Sequence, residues 1–140
     1  MDGDIYYWYG SARKGQPEPA EHTSGINLYS STDLYSWKFV DRVVNATNAS
    51  KTGNGLILER PKVLQCGAQY VMWLRGTGDV LKVGVLTSPS PRGPFRWIVP
   101  EGAGGDPFHT IAPGNPKYPP GYQYGDATLH RDAATGAAYV

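Results

Sequence analysis

A chain of 140 residues forms one domain and is long enough to bury a core. A formal net charge of +1 without a basic run gives no footprint for nucleic acid or an anionic membrane, and no apolar stretch is long enough to span a bilayer. With 18 Gly, 12 Pro, 10 Tyr, short apolar runs and no helical period, the composition excludes a helical protein and points to an all-β chain.

Met1-Asp2-Gly3-Asp4 does not read as a signal peptide, because an aromatic strand, Ile5 to Gly10, begins at once. Ser11 to Ser24 reads as a polar loop, Gly25 to Ser31 as a second strand, and Trp37 to Val40 as a short edge strand after a turn at Thr32–Ser36. Asn45 to Gly55 is expected as loop. It holds the sequons Asn45-Ala46-Thr47 and Asn48-Ala49-Ser50, on which an extracellular, secreted location is expected. Ile57-Leu58-Glu59-Arg60-Pro61-Lys62-Val63-Leu64 is an acid-bearing apolar strand, and Tyr70 to Leu74 folds back beside it. Alternation along that strand turns Arg60 away from the face of Glu59, and Trp73 is expected to end its strand at the border of a pocket. Lys82 to Ser88 repeats the pattern of Gly25 to Ser31, and Pro89–Pro94 turns into Phe95 to Ile98. Glu101 to Tyr124 reads as a long Gly/Pro-rich loop, before a strand at Asp126-Ala127-Thr128-Leu129, a turn at Asp132–Gly136 and a strand at Ala138 to Val140.

These elements repeat. Tyr7-Trp8-Tyr9 matches Val71-Met72-Trp73 at an offset of 64, and Tyr70-Val71 matches Tyr139-Val140 at an offset of 69. About four short strands per unit is the pattern of a β-propeller blade, and propellers close with roughly four to eight blades. The chain therefore reads as roughly two blades of a longer propeller, truncated at both ends, which leaves sheet edges and inter-blade apolar surface open.

Innermost strands of a propeller line one central hollow. Glu59 and Asp126 head equivalent strands in consecutive units, so both carboxylates are expected at the same mouth. Paired acids across a sugar-sized gap are what glycoside hydrolysis needs: one protonates the leaving oxygen while another activates water. A third carboxylate can hold the acid's pKa up by like-charge repulsion. The competing reading pairs Glu59 with Arg60 or Lys62 and makes Asp126 a turn residue after Gly125. Cys66 is alone, which excludes an internal disulfide and a Cys-based zinc site, and it reads as a structural thiol. His22, His109 and His130 make no metal spacing, so no metal site is expected. Gly102-Ala103-Gly104-Gly105 lacks the Lys and Ser/Thr of a phosphate loop.

Tyr6-Tyr7-Trp8-Tyr9-Gly10, Tyr29 to Leu34 with Trp37-Lys38-Phe39, Glu59-Arg60-Pro61-Lys62-Val63 with Tyr70 to Trp73, and Asp126 to Leu129 with Asp132 and Gly136 to Tyr139 together resemble glycoside hydrolase family 43, most closely its exo-β-1,3-galactanase branch. The resemblance covers nearly the whole chain as a partial domain, residues 1–140. It implies a five-bladed β-propeller, monomeric when complete, that hydrolyses β-1,3-galactan or related plant-type polysaccharide side chains with inversion and without a cofactor. Asp126 then matches the aspartate that tunes the general acid, and Glu59 the second-blade glutamate at the substrate. The general acid itself is expected beyond Val140, which leaves the fragment inactive by itself. Trp73, Arg60 and Ser11 fall at expected substrate-binding positions. Ser11 stands where the branch usually carries an acid, and the loop from Gly76 to Asp79 lacks an aromatic residue expected beside the sugar. The alternatives are a carbohydrate-binding propeller without catalysis and a purely structural interaction propeller.

Overall fold

Short runs of aromatic and β-branched residues, punctuated by Gly, Pro and Asp, suit extended chain reversals better than helix. The computed structural model describes residues 4–12, 25–45, 57–77, 82–99, 101, 108–109 and 127–139. Among them lie strands only, every pair antiparallel. Strands β1 (Tyr6–Ala12), β2 (Gly25–Ser31) and β3 (Lys38–Asn45) form a meander in that order. A second sheet runs β4 (Ile57–Cys66), β5 (Gln69–Thr77), β6 (Lys82–Ser88), β7 (Arg96–Trp97), with β8 (Phe108–His109) also on β6. Strands β9 (His130–Arg131) and β10 (Ala138–Tyr139) make a hairpin. The chain is all-β, with the order expected of consecutive propeller blades.

The bounds differ from expectation in four places. The edge strand after Trp37 runs on to Asn45, which pairs with Gly25 instead of lying in a loop. Strand β5 continues to Thr77, so Trp73 is mid-strand and pairs with both Lys62 and Val85. Phe108 and His109 pair with Gly84 and Val83 inside the segment expected as loop. Regular pairing in the third unit begins at His130, whereas Ala127 to Leu129 carry no ladder. Asp126, His22, Asn48, the Gly102–Gly105 run and most of the expected long loops lie outside the described residues.

The turns show why the units repeat. Ser31 Oγ accepts the N–H groups of Asp33 and Leu34, and Asp33 Oδ1 accepts those of Tyr35 and Ser36. After β6, Ser88 Oγ accepts the N–H of Ser90, and Ser90 Oγ that of Arg92. In each case two short hydroxyl or carboxylate side chains replace the ladder bonds that the turning backbone gives up. Hairpin β4–β5 closes through Gly67, whose φ of 60° suits the first central position of a two-residue turn.

Alternation gives each sheet two faces. Ile26, Val44, Tyr9 and Val43 of the first sheet and the β3 edge pack against Leu58, Met72, Leu74, Leu86 and Phe95 of the second, forming one inter-sheet core. The Tyr9 hydroxyl donates to the Pro91 carbonyl, and the Tyr9 ring meets Phe95 edge-on at 5.9 Å. Burial raises the Tyr9 phenol above its ordinary range, with Tyr7 and Tyr70 adding to it, so it remains a donor. Trp8, Tyr29 and Phe39 lie on the opposite face of the first sheet, Trp8 54% and Phe39 46% exposed. They hold the ladder positions that Met72, Leu86 and Trp97 hold in the second sheet.

Candidate functional site

Pro61 has no N–H to give a ladder, so an unbroken β4 is excluded at that residue. The chain forms a β-bulge there. Glu59 pairs with Arg75 and Lys62 with Trp73, leaving Arg60 and Pro61 together opposite Leu74. Arg60 takes φ 54°, a left-handed conformation that costs a non-glycine residue about 1–2 kcal/mol. The extra residue rephases the strand. Glu59 and Lys62 now share a face with their partners Arg75 and Trp73, which strict alternation forbids.

Arg60, opposite Leu74 at the bulge, lines a shallow recess together with Lys62, Trp73, Leu74 and Arg75. Ala127 and Leu129, ahead of β9, complete it. Arg75 Nε is buried with no hydrogen-bond partner among the described residues. A buried donor left without an acceptor costs about 1–3 kcal/mol. Across the ladder, Glu59 stands opposite Arg75.

Of the residues singled out in the sequence, Arg60 and Trp73 therefore meet in one recess, and Glu59 is half-buried on the adjoining rung of the same face. Ser11 does not join them: it is half-buried in β1, paired with Ile26. Asp126 lies outside the described residues, although the next residue, Ala127, lines the recess. Arg75 was missed in the sequence. Its signal was there: it is two residues from Trp73 on the same strand, and so on the same face. Cys66 is a free, half-buried thiol at the hairpin end of β4. Among the described residues no three His, Cys, Asp or Glu side chains gather as a metal-ligand group.

No protein-family model and no curated protein matches the sequence. Solved structures do. The chain is 25% identical to an exo-β-1,3-galactanase from Clostridium thermocellum, at TM-score 0.70, over 99% of this chain and 29% of that one. It is 34% identical to a β-1,3-galactosidase of glycoside hydrolase family 43 solved with galactodeoxynojirimycin, at TM-score 0.55, over 70% of this chain and 30% of that one. It is 26% identical to an exo-β-1,3-galactanase from Phanerochaete chrysosporium solved with galactose, at TM-score 0.52, over 66% and 22%. The chain thus spans less than a third of the length of these structures.

The antiparallel sheets belong to an all-β fold that the chain shares with solved glycoside hydrolases. Within it the likeness is to glycoside hydrolase family 43, among its β-1,3-galactosidases and exo-β-1,3-galactanases, in structure as in sequence.

Proposed function

We propose that this chain is part of an inverting glycoside hydrolase that cleaves β-1,3-galactan or related polysaccharide side chains. One observation carries the reading: the bulged Glu59 strand and the Trp73 recess lie in a chain that follows an exo-β-1,3-galactanase over 99% of its length at TM-score 0.70. Inversion needs a base that takes a proton from water as the oxygen attacks the anomeric carbon, and an acid on the other side of the bond that protonates the departing oxygen, the two carboxyls ~6.5–9.5 Å apart. Glu59 is placed at the substrate, where it accepts from a sugar hydroxyl or from the attacking water. Asp126 acts through the acid, holding its proton affinity and orientation. The proton donor comes from residues outside this sequence. Trp73 offers an apolar face to the sugar ring, Arg60 donates to a hydroxyl, and Ser11 serves a hydroxyl from the neighbouring sheet. Proton transfers alone balance the reaction, so it calls for no redox cofactor. Two sequons and a polymeric substrate fit a secreted protein.

In the enzyme that contains this chain, Asp126→Asn lowers kcat by about 100-fold or more with KM little changed, and displaces the limb of the pH–rate profile that reports the acid. An unchanged profile removes Asp126 from the catalytic set. The chain by itself gives no turnover of an aryl β-galactoside, and measurable turnover refutes a donor outside it. A second reading, carbohydrate binding without catalysis, draws on the recess lining, which holds no carboxylate among the described residues. It prevails if the enzyme containing this chain binds galacto-oligosaccharides and cleaves none.

A further inference from the structure

We propose that the outward aromatic face of the first sheet, formed by Trp8, Tyr29, Phe39 and Trp37, is an interface that seats a further sheet of the same polypeptide, with an aromatic side chain of that sheet set on Trp37. The inference rests on the reading of this chain as part of a longer enzyme and names the surface that joins it to the rest.

The two sheets are built alike, yet only one of them has this face covered. Trp8, Tyr29 and Phe39 pair across three strands as Met72, Leu86 and Trp97 do. Arg96 pairs with Thr87 as Lys38 pairs with Ser30, so the preceding residues, Phe95 and Trp37, also correspond. In the second sheet Met72 and Leu86 are fully buried in the inter-sheet core, and Phe95 receives the Tyr9 ring edge-on. In the first sheet Trp8 and Phe39 are about half exposed. An apolar surface left open at positions that the neighbouring repeat buries marks an interaction site.

This face is also built to lose water. Its rings are continuous: Phe39 meets Tyr29 at 5.7 Å, Tyr29 meets Trp8 at 5.4 Å, and Trp8 meets Trp37 at 5.7 Å. Its polar atoms are engaged within the sheet. The buried Asn27 accepts from Arg42 Nε at 3.3 Å and donates to the Tyr29 hydroxyl at 3.4 Å, and Trp37 Nε1 donates to the Leu34 carbonyl at 3.1 Å. Covering the face therefore gives up few hydrogen bonds to water.

Bulk and charge decide the occupant. Sheets packed face to face stand ~10 Å apart. Trp8 and Tyr29 fill more of that gap than Met72 and Leu86 do, so the covering sheet carries small side chains opposite them. It keeps an aromatic residue at the Trp37 end, as Tyr9 stands over Phe95. Two aromatic faces of this kind set against each other overfill the gap, which argues against a symmetric pair of copies. A head-to-tail copy would present the far face of the second sheet, where Lys62 and Arg75 would have to be buried at a cost. A further repeat of the same polypeptide meets neither obstacle, and the matched exo-β-1,3-galactanase has room for it, since this chain covers 29% of that one.

The enzyme containing this chain, labelled with fluorotryptophan, tests the proposal by fluorine NMR. Trp8→Phe and Trp37→Phe assign the two resonances. A soluble nitroxide should broaden both far less than it broadens free fluorotryptophan, at concentrations where gel filtration shows a monomer. With p-benzoylphenylalanine in place of Trp37, irradiation should cross-link within one polypeptide, to a strand outside residues 1–140. Broadening equal to that of the free amino acid overturns the interface, as does a cross-link that joins two polypeptides or returns to residues 1–140. Accessible indoles in an enzyme that still hydrolyses galactan end this inference and leave the galactanase reading standing. Shielded indoles and an intramolecular cross-link in a protein that hydrolyses no galactan do the reverse.

Discussion

Asp33 shows how much one exposed side chain can organise. Its carboxylate accepts the backbone N–H of Ser36 at 2.7 Å and of Tyr35 at 2.8 Å, and the Ser31 hydroxyl at 2.8 Å. Those donors, Ser36 first, hold the carboxyl far below the usual carboxylate range. Asp132 repeats the device with Thr135 and Ala134, and its pKa is lowered for the same reason. A carboxylate with a depressed folded pKa stabilises the fold fully above its unfolded value, near ~3.9, and this contribution fades as pH falls from there through the folded value. Thermal melts of the protein should therefore lose Tm below about pH 4, and Asp33→Asn should show a shallower acid loss. Parallel acid limbs in the two proteins would mean that the turn does not sense the proton.

At the scale of elements, the second sheet depends on a missing side chain. A Cβ on Gly84 would lie 2.5 Å from Trp97 Cζ3, 3.0 Å from Leu74 Cδ1 and 3.2 Å from Phe108 Cε1. Those rings close over the β6 backbone with centroids 5.2 Å apart. Gly84→Ala should cost about 1–3 kcal/mol of stability by overpacking, read from chemical denaturation. The strands themselves were legible in the sequence, because alternation and turn residues agree at Gly67, Ser31–Asp33 and Asp132–Gly136. The bulge was legible in principle through Pro61, but the apolar run was read as an uninterrupted strand. Phe108–His109 could not be read, since two paired residues are too few to show a period.

For the molecule as a whole, the repeat made the succession of sheets legible, and the family resemblance followed from motifs spread over both. What stayed illegible in the site is tertiary: the β4 bulge that brings Lys62 opposite Trp73, and the approach of Ala127 and Leu129. The two sheets are tied by Tyr9, whose hydroxyl reaches Pro91 across the inter-sheet core. Tyr9→Phe keeps the ring contact with Phe95 and loses that bond, so it should lower stability by about 1 kcal/mol, measured by calorimetry. A larger loss would mean that the ring also shifts.

The outward aromatic face of the first sheet has an optical consequence. Trp8 and Trp37 stand edge to face with centroids 5.7 Å apart, and Trp8 tilts against Tyr29 at 5.4 Å. Indole transition dipoles that close couple as an exciton, so this sheet carries its own circular-dichroism couplet. In the second sheet the half-buried Trp97 lies tilted against the buried Phe108 at 5.2 Å. In a heating ramp the couplet thus reports the first sheet with no label attached, and its loss together with the far-ultraviolet strand signal marks the two sheets as a single cooperative unit.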